Sequence, residues 1–151
     1  MSTAPLGDDQ ADAVTDALLA ASRVLVAVSA RSIAAVDDSI SLPQFRLLVV
    51  LVDAERQKIT ELADALGVNP STATRAVDRL SEAGLVDRQT NPRSRREALV
   101  SLTPTGREVV GEVMRLRRAE IAGIVARMPL THQRGLVRAL AAFSEAGGEP
   151  V

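Results

Sequence analysis

The 151-residue chain has no cysteine, no tryptophan and no tyrosine, and it carries one histidine and two phenylalanines. Without cysteine there is no disulfide framework, no thiolate metal site and no thiol redox switch. With Phe45 and Phe143 as its whole aromatic content, the core must be built from Ala, Val, Leu and Ile, a set suited to close-packed helices. There is no Gly-rich phosphate loop and no assembled nucleophile. The lone His132 falls in the first turn of the expected last helix, where an exposed surface residue is the ordinary reading. Neither an enzyme nor a cofactor or metal protein is expected. No uninterrupted apolar run approaches the ~18 residues needed to span a bilayer. Asp8, Asp9, Asp12 and Asp16 stand where a secretory signal would place Lys or Arg before an apolar block. The expectation is a cytoplasmic chain with no membrane partner.

What is present is a chain of single-domain length with 46% apolar residues, enough to close a core. A net charge of −1 argues against coating nucleic acid by bulk positive charge, but its distribution is uneven. Residues 1–40 hold six aspartates against Arg23 and Arg31, a balance of −4. Residues 67–103 hold Arg75, Arg79, Arg88, Arg93, Arg95 and Arg96 against Asp78, Glu82, Asp87 and Glu97, a balance of +2. A basic centre between acidic or neutral flanks fits a localised phosphate-contacting surface, and equally an ordinary solvated charge run.

Val14, Leu18, Ala21, Leu25 and Val28 recur at spacings of four and three, which makes one apolar stripe on a long first helix. After a polar break at Asp37 to Ser41, a short helix carries Phe45, Leu48, Leu51 and Val52, with Pro43 in its first turn. Thr60 is placed as the cap of a third helix that ends at Gly67, and Asn69-Pro70 opens a fourth that runs to about Ala83. Two helices joined by so short a turn form a helix-turn-helix candidate. The second buries Ala73, Ala76, Val77 and Leu80 and leaves Ser71, Arg75, Asp78 and Glu82 opposite, flanked by Thr72, Thr74 and Arg79. Beyond Gly84, Leu85 to Gln89 and Ala98 to Leu102 read as strands around a polar loop from Thr90 to Glu97. Thr103-Pro104 caps a long helix ending before Pro129, and Thr131 starts a last one with Leu136, Leu140 and Phe143. The fold class is mainly α with a small β-wing: a winged helix-turn-helix lobe over residues 41–103, flanked by dimerisation helices at 1–40 and 104–151 of a single domain.

Several runs in this order carry a family likeness. Leu42-Pro43-Gln44-Phe45, Glu61-Leu62-Ala63, Thr74-Arg75-Ala76-Val77-Asp78-Arg79-Leu80, Gly84-Leu85-Val86 and Leu102-Thr103-Pro104-Thr105-Gly106-Arg107 together resemble the multiple antibiotic resistance regulator (MarR) family across about residues 42–128. The resemblance implies a dimeric transcriptional regulator of double-stranded DNA, with repression the commoner behaviour. It also implies a small-molecule effector, often phenolic, bound between the dimer helices and the DNA-binding lobe. One departure is visible: the family's wing places an Asp two positions before an Arg, and here those positions are Ser94 and Arg96.

On this reading Ser71, Thr72, Thr74 and Arg75 enter the major groove, which admits one helix, and Arg75 can fork onto guanine O6 and N7. Arg79 suits a phosphate, while Asp78 is expected to pair with Arg75 or Arg79. Arg93, Arg95 and Arg96 on the wing suit a narrow minor groove, which an inserted arginine reads by shape and potential. Taken singly, each arginine also fits a solvated surface. The stripes through Val14, Leu18 and Leu25, and through Leu136 and Leu140, are too wide for one small lobe to cover, so they are assigned to a homodimer that binds a pseudo-palindromic operator. The rival reading is a winged-helix interaction module without DNA binding.

Overall fold

The computed structural model describes residues 6–149, with the side chains of Leu6, Arg95 and Arg96 outside the described part. In chain order the elements are α1 (Leu6–Val36), α2 (Leu42–Asp53), β1 (Gln57–Lys58), α3 (Ile59–Leu66), α4 (Pro70–Glu82), β2 (Val86–Asn91), β3 (Ser94–Leu102), α5 (Pro104–Ala126) and α6 (Leu130–Ala146). Residues up to Arg117 form one compact unit and those from Arg118 onward a second.

Local chemistry sets most of the boundaries in the first unit. Ser41 opens α2 with a reciprocal cap: its Oγ accepts from the Gln44 N–H at 3.2 Å, and its own N–H donates to Gln44 Oε1 at 3.0 Å. The buried face of α2 is Phe45, Leu47, Leu48 and Leu51, so Leu47 takes the place expected for Val52, which is exposed. Thr60 does not cap α3. The helix starts at Ile59 with extended Lys58 as its cap residue and no side-chain cap bond. Lys58 is extended because it pairs with Leu99, making the short strand β1, which lacks any periodic signal of its own. Gly67 ends α3 in the left-handed region at φ 66°, where a side chain would be strained.

The sheet is antiparallel with β3 in the centre, in the order β1-β3-β2. The strands run further toward the wing tip than the expected loop of residues 90–97 allows. Pairing continues through Thr90 with Ala98, an irregularity follows, and Asn91 pairs with Ser94. The turn is shortened because Asn91 Oδ1 accepts the Arg93 N–H at 3.0 Å and Asn91 Nδ2 donates to Glu97 at 3.3 Å, an Asx-type closure. The backbones of Arg95 and Arg96 therefore belong to β3 and not to a loop.

The core of this unit gathers Leu47, Leu48, Leu51, Leu62, Val77, Leu80, Val100 and Val113, all 2% exposed or less. From α1 it takes Val28 and Ile33, so the expected surface stripe loses Val28 to the interior while Val14 and Leu25 stay exposed and Leu18 is half-buried. By length and composition alone Gly7–Val36 could cross a membrane, because Ala, Val, Leu and Ile raise its average although polar residues interrupt every apolar run. Its C-terminal end is packed into the unit, with Ser29 and Ser32 buried and Ser32 Oγ donating to the Val28 carbonyl at 2.8 Å. On the outer face of α5, Arg115 donates to both Glu112 oxygens at 2.9 and 2.6 Å, and these bonds hold the Glu112 carboxyl below its ordinary range.

The second unit holds the end of α5 and α6. Gln133 Nε2 donates to the carbonyls of Val125 and Met128, each at 2.9 Å, and so closes the turn between the helices. The last helix begins at Leu130, one residue before the expected Thr131, with Pro129 as an extended cap that has no N–H to satisfy. No residue of α6 is fully buried.

Where α5 begins, an added Cβ on Gly106 would stand 2.0 Å from the Leu85 carbonyl oxygen, whereas one on Gly111 would meet nothing within 4 Å. Gly106→Ala should therefore destabilise the protein by about 1 to 3 kcal/mol or more through overpacking against backbone. Gly111→Ala should stabilise it by about 0.5 to 1 kcal/mol through helix propensity. Urea unfolding of both variants against the parent checks the contrast, and equal effects would contradict the close approach.

Candidate nucleic-acid interface

The N-terminus of α4 is organised by one side chain. Asn69, extended at φ −76° and ψ 159°, turns its Oδ1 onto the first turn and accepts from the Thr72 N–H at 2.9 Å, Ser71 Oγ at 2.7 Å and Thr72 Oγ1 at 2.9 Å. Thr74 Oγ1 donates to the Pro70 carbonyl at 2.9 Å. The three hydroxyl protons are thus directed inward, and the oxygens present acceptor lone pairs outward. Facing donors on a ligand, such as the exocyclic amino groups of cytosine and adenine, fit that polarity.

Ala73, Val77 and Leu80 bury the inner face of α4, Ala76 is half-buried, and Ser71, Arg75, Asp78, Arg79 and Glu82 are exposed. Thr72 and Thr74 sit at the edge, half-buried. The sequence-predicted set therefore shares one helix and one side of it. The expected pairing of Asp78 with Arg75 or Arg79 does not occur. Asp78 Oδ1 instead accepts from Arg88 Nη1 of β2 at 2.7 Å, because the strand runs alongside the helix and presents its guanidinium across the gap. The side chains of Arg75 and Arg79 make no hydrogen bond or ion pair with any described residue.

The far end of α4 is fixed to the wing and to α5. Gly84, at φ 76°, turns the chain so that the Leu85 N–H donates back to the Leu80 carbonyl at 2.9 Å. Thr103 Oγ1 donates to the Gly84 carbonyl at 2.7 Å and accepts from the Gly106 N–H at 3.0 Å, while the Thr103 N–H donates to the Leu85 carbonyl at 3.1 Å. Thr103 is thus a cap, as its place before Pro104 suggests, and also a clasp on the corner that joins α4 to the wing.

At the wing, Arg93 is exposed at the turn, and the side chains of Arg95 and Arg96 lie outside the described residues. Glu97, not a residue at the Ser94 position, supplies the carboxylate near the tip. It accepts from Asn91 and forms an ion pair with Lys58 Nζ of β1 at 3.3 Å. A polar groove of about 500 Å³ lies beside α4 and the wing, lined by Lys58, Thr60, Thr74, Arg88, Thr90 and Glu97 among others. Lys58, Asn91, Arg88 and Glu97 are the residues that sequence reasoning missed as parts of this surface. Arg88 and Glu97 entered the sequence reading only through the charge balance of residues 67–103, which does not say which partner each one reaches.

Among the described residues no group of three or more His, Asp or Glu could hold a metal ion.

A model of the MarR family matches residues 40–98. The chain is 30% identical over 69 residues to YfiV of Bacillus subtilis, described as an uncharacterised HTH-type transcriptional regulator; the match covers 46% of this chain and 43% of that protein's length, so under half of this curated relative is spanned. It is 55% identical to RV1404 of Mycobacterium tuberculosis, whose crystal structure superposes with a TM-score of 0.85 over 93% of this chain and 96% of that one. At 21% identity it shares the fold of a mutant Escherichia coli MarR crystallised with operator DNA, with a TM-score of 0.68 over 89% of this chain and 96% of the other.

The capping geometry predicts that Asn69→Ala costs about 1 kcal/mol of stability. Asn69→Asp, which keeps the acceptor, should recover most of it. Denaturant midpoints of the three proteins check this, and an unchanged midpoint for the alanine variant would remove Asn69 from its organising place.

Proposed function

The chain belongs to the MarR family, and from that premise we propose that it is a sequence-specific DNA-binding transcriptional regulator, not an enzyme, which grips a pseudo-palindromic operator as a homodimer. The observation that carries the reading is the outward side of α4, where Arg75 and Arg79 stand with no described partner beside inward-bonded hydroxyls. A duplex offers both charge and hydrogen-bonding edges to such a surface. Arg75, near the N-terminal end, is assigned to a base edge together with Ser71, Thr72 and Thr74. Arg79, a turn further on, is assigned to phosphate. The wing arginines Arg93, Arg95 and Arg96 are assigned to the minor groove.

Residues 41–103 form the DNA-binding lobe on this reading, and the flanking helices hold the two copies together. Support for the dimer comes from the exposed apolar residues of α1, among them Val14, Leu19 and Leu25, and, separately, from Leu130, Val137, Leu140 and Phe143 of α6. Surfaces of that kind are rare on a monomer and ordinary at a subunit interface. Two copies related by a two-fold axis present two α4 helices to sites about one helical turn of DNA apart. The regulator acts in the cytoplasm as a repressor, and a small-molecule effector releases it by changing the spacing of those helices. With two phenylalanines in the chain, the effector is held mainly by aliphatic and polar groups.

Two measurements test the proposal. Sedimentation at micromolar concentration should report two chains, and a fully helical monomer would contradict the dimer. Duplex from around the protein's own gene should bind with affinity that falls steeply with salt, whereas an interaction module without DNA binding would give no such dependence. Within that assay Arg75→Ala should cost about 1 to 3 kcal/mol per half-site and relax preference at one symmetric base pair. Uniform weakening across sequences, with a salt slope lower by about one per contact, would move Arg75 to the phosphate set.

A further inference from the structure

The described cations of β1, α4, β2 and the wing turn fall into two groups. Arg88 and Lys58, which line the groove beside α4, are each held by a carboxylate: Arg88 by Asp78 at 2.7 Å and Lys58 by Glu97 at 3.3 Å. Arg75, Arg79 and Arg93, which project from the helix and the wing turn, have no side-chain partner among the described residues. Asp78 shares the outward side of α4 with Arg75, one turn away, and its side chain is 53% exposed, so the carboxylate stands where DNA phosphates would approach. Left alone there it would repel them.

Exposed ion pairs add little to stability, so a stabilising role alone is a weak account of this one. Its electrostatic consequence is larger. Arg88 can reach a phosphate only by leaving Asp78, and that same movement uncovers a negative charge beside the duplex. The pair therefore brings no net charge to the DNA and displaces no counterion. Resting on the DNA-binding reading above, we propose that Asp78 is a specificity-determining residue that withholds Arg88 from the phosphate backbone and so limits affinity for DNA of arbitrary sequence. On the operator the seated α4 fixes the register of the protein, and a freed Arg88 gains little. On random duplex the protein shifts to whichever placement uses every free cation, and a freed Arg88 gains most.

The test uses the full-length protein, Asp78→Asn, Arg88→Gln and the double variant, titrated with a random-sequence duplex and with the best operator duplex at several salt concentrations. Asp78→Asn should raise random-duplex affinity on the order of five-fold per subunit near 0.1 M salt and steepen the log–log salt slope by about 0.9 per subunit. Operator affinity should rise less, so the ratio between the two narrows. Adding Arg88→Gln should abolish the gain. Unfolding midpoints should stay close to the parent's, which separates this device from a structural strut, whose loss would lower the midpoint and weaken both duplexes together. An unchanged random-duplex affinity and slope in Asp78→Asn overturns the proposal, and so does a gain that survives Arg88→Gln, since it would come from lost repulsion alone. The parent's own titration decides the regulator reading independently: salt-dependent binding by the parent with no response to Asp78→Asn sinks only the withholding of Arg88, whereas a parent that binds no duplex at any salt sinks both.

Discussion

The lobe depends on one close approach, the crossing of α5 over the corner at Leu85. With a methyl group in place of the Gly106 hydrogen the crossing would place carbon 2.0 Å from a backbone oxygen, so the helix can start there only because residue 106 has no side chain. Three bonds through Thr103 and the left-handed turn at Gly84 use that proximity. The end of α4, the root of β2 and the start of α5 thereby become one rigid junction. The side of α4 that carries Arg75 is oriented by that junction at one end and by Asn69 at the other.

Much of this was legible because it is encoded locally. Asn69-Pro70, Gly67 and Gly84, and Thr103 in capping the Gly106 N–H, act through nearby bonds or through their own φ angle, and short-range chemistry of that sort can be read from neighbours; the bonds of Thr103 to Gly84 and Leu85 are nonlocal. The family likeness added the order of the elements. What stayed illegible is nonlocal. Lys58 is extended, and α3 starts at Ile59 and not after Thr60, because a strand some forty residues later pairs with it. Asp78 chose Arg88 over the two arginines on its own helix because a strand folded alongside. Val28 followed the phase of the α1 stripe and yet went into the core, since the stripe is continuous while the surface it meets is not. At the wing, the loop expected from polar composition became paired strand, because an asparagine and a glutamate closed the turn early.

The shortage of aromatic residues has a structural counterpart. A core of Leu and Val fills its space by interdigitation, and such residues dominate the fully buried set around α2, α3 and α4. The same small-residue economy leaves α1 rich in Ala and Ser with scattered Val and Leu, so its average resembles that of a bilayer-crossing helix while its C-terminal third is packed in the lobe. Average hydropathy and the side-chain pattern part company here: the apolar stripe through Val14, Leu18 and Leu25 has Asp12, Asp16 and Arg23 on the opposite side of the helix.

Charge is apportioned in the same way, by neighbour and not by total. With a net charge of −1 the chain has no bulk attraction to polyanions, so attraction has to be produced locally. Among the described residues Lys58 and Arg88 of the strands are matched by carboxylates at hydrogen-bonding distance, and Arg75, Arg79 and Arg93 are not. Since Coulomb attraction between exposed groups is screened beyond about 8 to 10 Å at physiological salt, a duplex at this surface responds mainly to charges within that reach, the unmatched arginines among them. The field that matters is then set by a few side chains, which the cap at Asn69 and the junction at Gly106 hold in place. A nearly neutral protein can in this way keep weak interactions with most sequences and still favour one, provided the unmatched cations sit where base edges and not only phosphates can be reached.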